Sequence, residues 1–522
     1  MFGKWSKKWQ LSSGLAALFL LLLSPSARAE VKLPAIYQDG AILQRNKPLT
    51  ITGTALPGEI VNIQIGPSFG QLICDKSGTF SMTLPAVKQT GPFQMKVTGQ
   101  KPFVLNDIRF GEVWLVAGEG LMEATLKEET EQEELHKSKK EEAGESTGDG
   151  TSDADKRIYL YREDVLLKKE PEKIGHGHWF KATSPEKMEF SALGYSLAKH
   201  LSEKIEGPIA IIQVSVPNSP LRAWISAETL QSRPDIRSVV RKGVMDDENF
   251  NLIWTHYKLD VKEAAKAKEE GREFPRPTPA AEICAVNSVV QNGMLAPIAP
   301  YALRGVVFCQ GEADTKAPVA YKTLFPALIT DLRLTFKQES LPFVFVQLGA
   351  LPSTTPEKEV ESPAAIIRNT QYKARLAPKS YMVISSDLCS EEKKTGNVYM
   401  SAFSLAERIS NTVLATQYGI KRPFLYPTVE SVEAEGDGLK VTFRNPSGAL
   451  RNKDKPPVRG FFLAGFDRKF YEGKAKLDGN TVFVECPFVK MPKFVRYGWG
   501  NNPYLSLFSE DGLPAAPYTN DR

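Results

Sequence analysis

Histidine is scarce in this chain of 522 residues: there are five, at His136, His176, His178, His200 and His256. No histidine base or ligand can come from beyond position 256. Cysteine is equally sparse, with Cys74, Cys284, Cys309, Cys389 and Cys486 scattered and without C-x-x-C spacing. That argues against a zinc site and a disulfide-built scaffold, though it leaves room for one bridge that the sequence does not name. A charge excess is missing too: the net charge is +5 and the basic residues are dispersed, so nucleic-acid binding is not expected. Beyond the N-terminus no apolar run approaches the roughly 20 residues of a membrane-spanning helix.

At the N-terminus, Lys4, Lys7 and Lys8 precede an apolar core, and Ala27-Arg28-Ala29 follows in an A-x-A pattern. Residues 1–29 read as a secretory signal peptide, with export to a periplasmic or extracellular site. An uncleaved anchor is the alternative, and the short apolar core speaks against it. The length predicts two or three domains. Over 30–106, short alternating runs such as "LTITGTALPGEIVNIQIG" and "FQMKVTG" predict a β-sandwich. Over 107–420, apolar runs ("GPIAIIQVSV", "LRGVVFCQG", "LPFVFVQLG", "SYMVISSDL") alternate with segments such as "FSALGYSLAKHLSEKI", which predicts an α/β domain with a parallel sheet covered on both faces. Strand-like text returns over 421–522 as a second β-domain. A low-complexity insert at 126–156, rich in mixed charge, reads as a solvated loop over a binding element.

The stretch "RFGEVWLVAGEGLMEATL" carries the functional question. An apolar strand ends at Gly118-Glu119-Gly120, a place where hydrolases set a nucleophile, yet no Ser, Cys or Thr stands in the turn. Together with "IIQVSVPNSPLRAW", "NGMLAPIAPYALRGVVFCQGEAD" and "FVRYGWGNNPYLSLFSEDGLPAAPY", it resembles the bacterial sialate O-acetylesterases of the SGNH hydrolase superfamily over nearly the whole mature chain. The resemblance implies an SGNH-type, flavodoxin-like parallel-sheet domain flanked by β-sandwich-like domains, no cofactor, no metal, and an acetylated sugar or glycan as ligand.

The resemblance also implies where the catalytic groups would stand. The family's nucleophilic Ser corresponds to Gly120, which has no hydroxyl to attack an ester. Its oxyanion block corresponds to Val216 through Ser219, where Pro217 has no N–H and Asn218 follows it. Gln310, Gly311 and Glu312 are retained, as is Asp387, but the family's histidine has no counterpart. Because nucleophile, base and oxyanion donor act as a unit, the usual mechanism is not expected.

Other chemically capable groups stand in the sequence. Glu119 and Glu123 flank the vacant position and a carboxylate can activate water, but a turn Glu is more often solvated. Cys309 sits at a strand end, where packing is the commoner role. His176 and His178 alternate in "GHGHW", yet two ligands do not make a metal site. Trp179, Trp224, Arg496 and Trp499 suit sugar stacking, or equally core packing. Glu119, Gln310, Glu312 and Trp224 are the expected ligand-binding residues. The function expected is thus an exported esterase-like protein without ester hydrolysis, acting in glycan or partner binding. An active O-acetylesterase with a rearranged site is the alternative, and a scaffold with a filled pocket a third.

Overall fold

The structure, a computed structural model, describes residues 30–138, 153–240, 244–352, 362–391, 398–454 and 456–521. The expected signal peptide and residues 139–152 of the insert lie outside the described residues.

The fold is a mixed α/β arrangement with additional β-sheet regions, organised by one long strand, Phe103–Gly118. In its first half it pairs antiparallel with Phe93–Thr98 of the N-terminal β-region, where one side faces solvent. From Phe110 onward every residue is buried, as in a strand covered on both faces. There it pairs parallel with Ile209–Ser215 on one side and Gly305–Cys309 on the other. The division expected at 106/107 falls inside this continuous strand. The sheet runs Ser380–Val383, Phe343–Val346, Gly305–Cys309, Phe103–Gly118, Ile209–Ser215, Ile158–Arg162 and His178–Lys181, with the last strand antiparallel.

Side-chain alternation builds two cores from this one strand. Val113, Leu115 and Ala117 face a layer containing Leu324, Leu328 and Ile367, from the helices Pro318–Thr335 and Pro363–Ala374. Trp114 and Val116 face Leu193, Leu197, Leu405 and Ile409, from the helices Ala192–Ser202 and Ala402–Tyr418. Each Val, Leu or Ile among them contributes about 1.5–3 kcal/mol on burial.

The insert does not begin as a loop. Leu126–Ser138 is a helix, opened by a reciprocal capping box: Glu128 N–H donates to Thr125 Oγ1 (3.1 Å) and Thr125 N–H to Glu128 Oε2 (2.8 Å). Glu129 turns inward and accepts from Ala402 N–H (2.7 Å) and Tyr399 O–H (3.0 Å), which caps the helix Ala402–Tyr418. A charged sequence is ordered here because its carboxylates satisfy the first N–H groups of two helices.

The C-terminal β-region is tied to the α/β sheet by Arg368. Its buried guanidinium donates to the carbonyls of Leu348, Gly349, Gly500 and Asn501 at 2.6–2.7 Å. The five cysteines are free thiols, so the bridge the sequence left open is not formed. Among the described residues no helix is long and apolar enough to cross a membrane.

Candidate active site and its cavity

Gly118 ends the central strand at φ +137°, and a Cβ there would lie 1.8 Å from the carbonyl oxygen of Cys309. Only glycine permits this approach. The chain reverses its order across the sheet at this point, with one neighbouring strand on each side, the topological position where open α/β sheets bind ligands. The sequence blocks singled out above, at 118–123, 216–219, 310–314 and 384–387, follow the C-terminal ends of parallel strands.

Glu119 is not solvated. It is 2% exposed, and its Oε1 accepts from Gln310 Nε2 (3.1 Å), Gly311 N–H (3.2 Å) and Ala313 N–H (2.9 Å). Burial, reinforced by the charge of Glu312, holds its carboxyl well above the usual range. It pins one turn to the next, so the expectation of a ligand-facing Glu119 is corrected. Gln310 serves the same scaffold, donating to Asp314 Oδ2 (2.6 Å), which in turn accepts from Leu221 N–H (2.9 Å).

Gly120 adopts φ +62°, and a Cβ on it would stand 3.1 Å from Glu312 Oε1. Glu312 is half-buried; its Oε2 is covered and lacks a hydrogen-bond partner among the described residues, and burial raises its carboxyl pKa. In the next loop, Val216 N–H donates to Gly118 O (3.0 Å) and Ser219 Oγ to Val216 O (2.6 Å). Pro217 supplies no donor, and Asn218, at φ +53°, is exposed. Asp387 does not await a histidine: Arg408 grips it through two bonds, Nη1 to Oδ1 at 2.6 Å and Nη2 to Oδ2 at 2.9 Å. Residues 392–397, which follow it, lie outside the described residues.

Trp224 is fully buried, with Nε1 donating to Ser219 Oγ (2.9 Å) and its ring edge-on to Phe308. It cannot reach a ligand, which corrects the expectation made for it. Arg496 and Trp499 are also buried, Arg496 paired with Asp521 at 2.8 Å. Trp179 packs on Tyr161 and donates to Ile36 O (2.9 Å). Burial pushes the Cys309 thiol well above its ordinary value, so it stays protonated and unreactive. His178 contacts Glu186 Oε2 (2.9 Å), and among the described residues no three His, Cys, Asp or Glu side chains cluster to hold a metal.

What the sequence did not reveal is a cavity of about 510 Å³ beside the turn, lined in part by Glu123, Glu163, Gln213, Ser215, Pro217 and Arg276. Burial lifts Glu123 and Glu163 each to about 7. Ser215, next to Gly118 in register, accepts from Gln213 Nε2 (2.9 Å), whose Oε1 accepts from Ser191 N–H (3.0 Å). Among the described residues Ser215 has no hydrogen bond to a carboxylate or imidazole, so nothing in place deprotonates it. The Pro-rich stretch after the surface helix Asp247–Glu269 forms one wall, with Arg276 Nη1 donating to Glu123 O at 3.0 Å. The sequence signal for that wall was only "FPRPTP".

Residues 286–415, which include the Gln310–Asp314 turn and the Asp387–Arg408 pair, match the carbohydrate esterase family described as sialic acid-specific acetylesterase. That match covers about a quarter of the chain, and outside it the likeness to sialate O-acetylesterases is carried by more distant relatives. The sialate O-acetylesterase of Rattus norvegicus is 24% identical over 407 residues, 73% of this chain and 71% of its own length. That of Homo sapiens is 24% identical over 458 residues, 80% of this chain and 77% of its own. In fold, the chain is similar to a carbohydrate acetylesterase from Xanthomonas citri, with a TM-score of 0.74 and 24% identity over 94% of this chain and all of that one. In this chain residue 120 is glycine and Asp387 is paired with Arg408.

Proposed function

We propose that this chain is an exported, carbohydrate-binding member of its family that does not hydrolyse esters by the serine–histidine route. The observation that carries the proposal is the turn itself: Gly120 offers no nucleophile, and the carboxyl of Glu312 closes on the space a side chain would take. The Asp387–Arg408 pair supports it, because an acid gripped by a guanidinium is not free to orient an imidazole. The cavity beside the turn is the binding site in this reading, and residues 1–29 supply the export signal. β-sandwich-like regions at 30–106 and 421–522, flanking the α/β region, complete the proposed organisation.

Covalent labelling tests the first part. A fluorophosphonate probe, which captures activated serines, leaves the purified protein unlabelled if the proposal holds; stoichiometric labelling at one residue contradicts it.

One observation favours a second reading, an active O-acetylesterase with a rearranged site. Glu123 lies in the cavity with its carboxyl lifted to about 7, where a general base for water works best at neutral pH. In that case acetate release follows a single ionisation near 7 and is lost in Glu123→Gln.

A further inference from the structure

We infer that the cavity beside the Gly118–Gly120 turn selects an uncharged or amine-bearing acetylated sugar and disfavours a sugar acid such as a sialoside. The inference rests on the reading that this cavity is the sugar site, and deepens it by naming the ligand class.

The argument is the charge the walls present. Five carboxylates line the cavity, on Glu123, Glu128, Glu163, Asp164 and Glu189, against two guanidiniums, on Arg162 and Arg276. With Glu123 and Glu163 both protonated, carboxylates still outnumber guanidiniums. Both arginines already bond to the walls. Arg276 Nη1 donates to Glu123 O (3.0 Å) and lies 3.5 Å from Glu128 Oε2, while Arg162 Nη1 donates to Glu189 O (3.3 Å). A ligand carboxylate here would give up hydration and meet an excess of like charge.

The same walls suit hydroxyls. Carboxylates accept from sugar O–H groups, Ser215 and Thr278 add hydroxyls of their own, and Tyr257 offers a ring to a sugar face. An ammonium on the sugar would be attracted rather than repelled. The buried floor is prearranged: Gln213 is held by Ser191 N–H and by Ser215, and Glu163 by His176 N–H (2.9 Å) and Tyr161 O–H (2.7 Å). A ligand therefore meets groups already oriented.

The test is equilibrium binding by the purified protein at neutral pH, with an acetylated methyl glucoside, an acetylated methyl glucosaminide and an O-acetylated methyl sialoside as probes. The first two are expected to bind about tenfold or more tightly than the sialoside, a gap that narrows with added salt. It should also narrow in the double variant Asp164→Asn, Glu189→Gln, whose two side chains are exposed and outside the turn. A sialoside that binds as tightly as the neutral sugar, or tighter, overturns the inference and leaves the sugar-site reading standing. Failure of all three probes to bind overturns that reading, and the inference with it.

Discussion

A side chain on Gly120 would face Glu312 at close range: its Cβ would lie 3.1 Å from Oε1 of that carboxyl. A side chain there would require the Glu312 carboxyl to give way by a few tenths of an ångström. Residue 120 is a place where the backbone is left-handed, at φ +62°, and where a carboxyl of raised pKa has closed in.

Restoring the hydroxyl alone is accordingly not expected to restore catalysis. Gly120→Ser places a side chain in a left-handed residue, at a cost of about 1–2 kcal/mol, and crowds Glu312. Thermal unfolding should show the lower stability, and an ester-hydrolysis assay should show no gain. A serine variant as stable as the parent and newly active would contradict this.

Glu119 is predicted to matter through the loop it pins. Glu119→Ala leaves the backbone N–H groups of Gly311 and Ala313 without their acceptor, at about 1–3 kcal/mol for each that stays buried and unpaired, while Gln310 keeps Asp314 as a partner. Glu119→Gln keeps an acceptor oxygen and removes the repulsion with Glu312, so it should be far milder. Denaturant titration of the two variants checks the order.

The raised carboxyls fix the sign of a pH dependence. Glu123 and Glu163 hold their protons to about 7 when folded and to about 4.3 when unfolded. Between those values the folded chain binds more protons, so this part of the stability is complete below the unfolded value and is lost as pH rises through 7. Glu123→Gln should flatten the fall between pH of about 5 and 8. A steeper fall in the variant would contradict the assignment.

Asp387 is predicted to act in stability. Removing it leaves Arg408, 13% exposed at its side chain, without its counter-charge. Asp387→Ala should cost about 3–5 kcal/mol, the usual penalty for breaking a buried pair from one side, measured as a shift in the unfolding midpoint. The doubly substituted Asp387→Leu, Arg408→Met should recover much of it.

Much of the fold was readable because its signals are local. The run from Phe110 to Gly118 announces a strand buried on both faces, and Gly118-Glu119-Gly120 marks its abrupt end. The vacancy at 120 follows from residue identity alone. The orientation of Glu119 did not, because a turn carboxylate reads as solvated until the Gln310–Ala313 loop supplies its donors from nearly two hundred residues away. Trp224 was misplaced for the same reason: nothing in "LRAW" tells that Ser219 and Phe308 enclose the ring. The helix at Leu126–Ser138 had a legible cap in "TLKE", but its charges hid the inward role of Glu129. Most of all, the cavity is assembled from segments spread between Glu123 and Pro279, and no short stretch of sequence carries its shape.

The most direct test of the central claim is acetate release from acetylated methyl glucoside and O-acetylated sialoside, followed over time with the wild-type protein and with Glu119→Gln, Glu123→Gln and Cys309→Ala. The account predicts that none releases acetate above the buffer rate. Steady release by the wild type that vanishes in one of the variants would identify a working catalytic group and contradict the claim that this site has no ester-cleaving machinery.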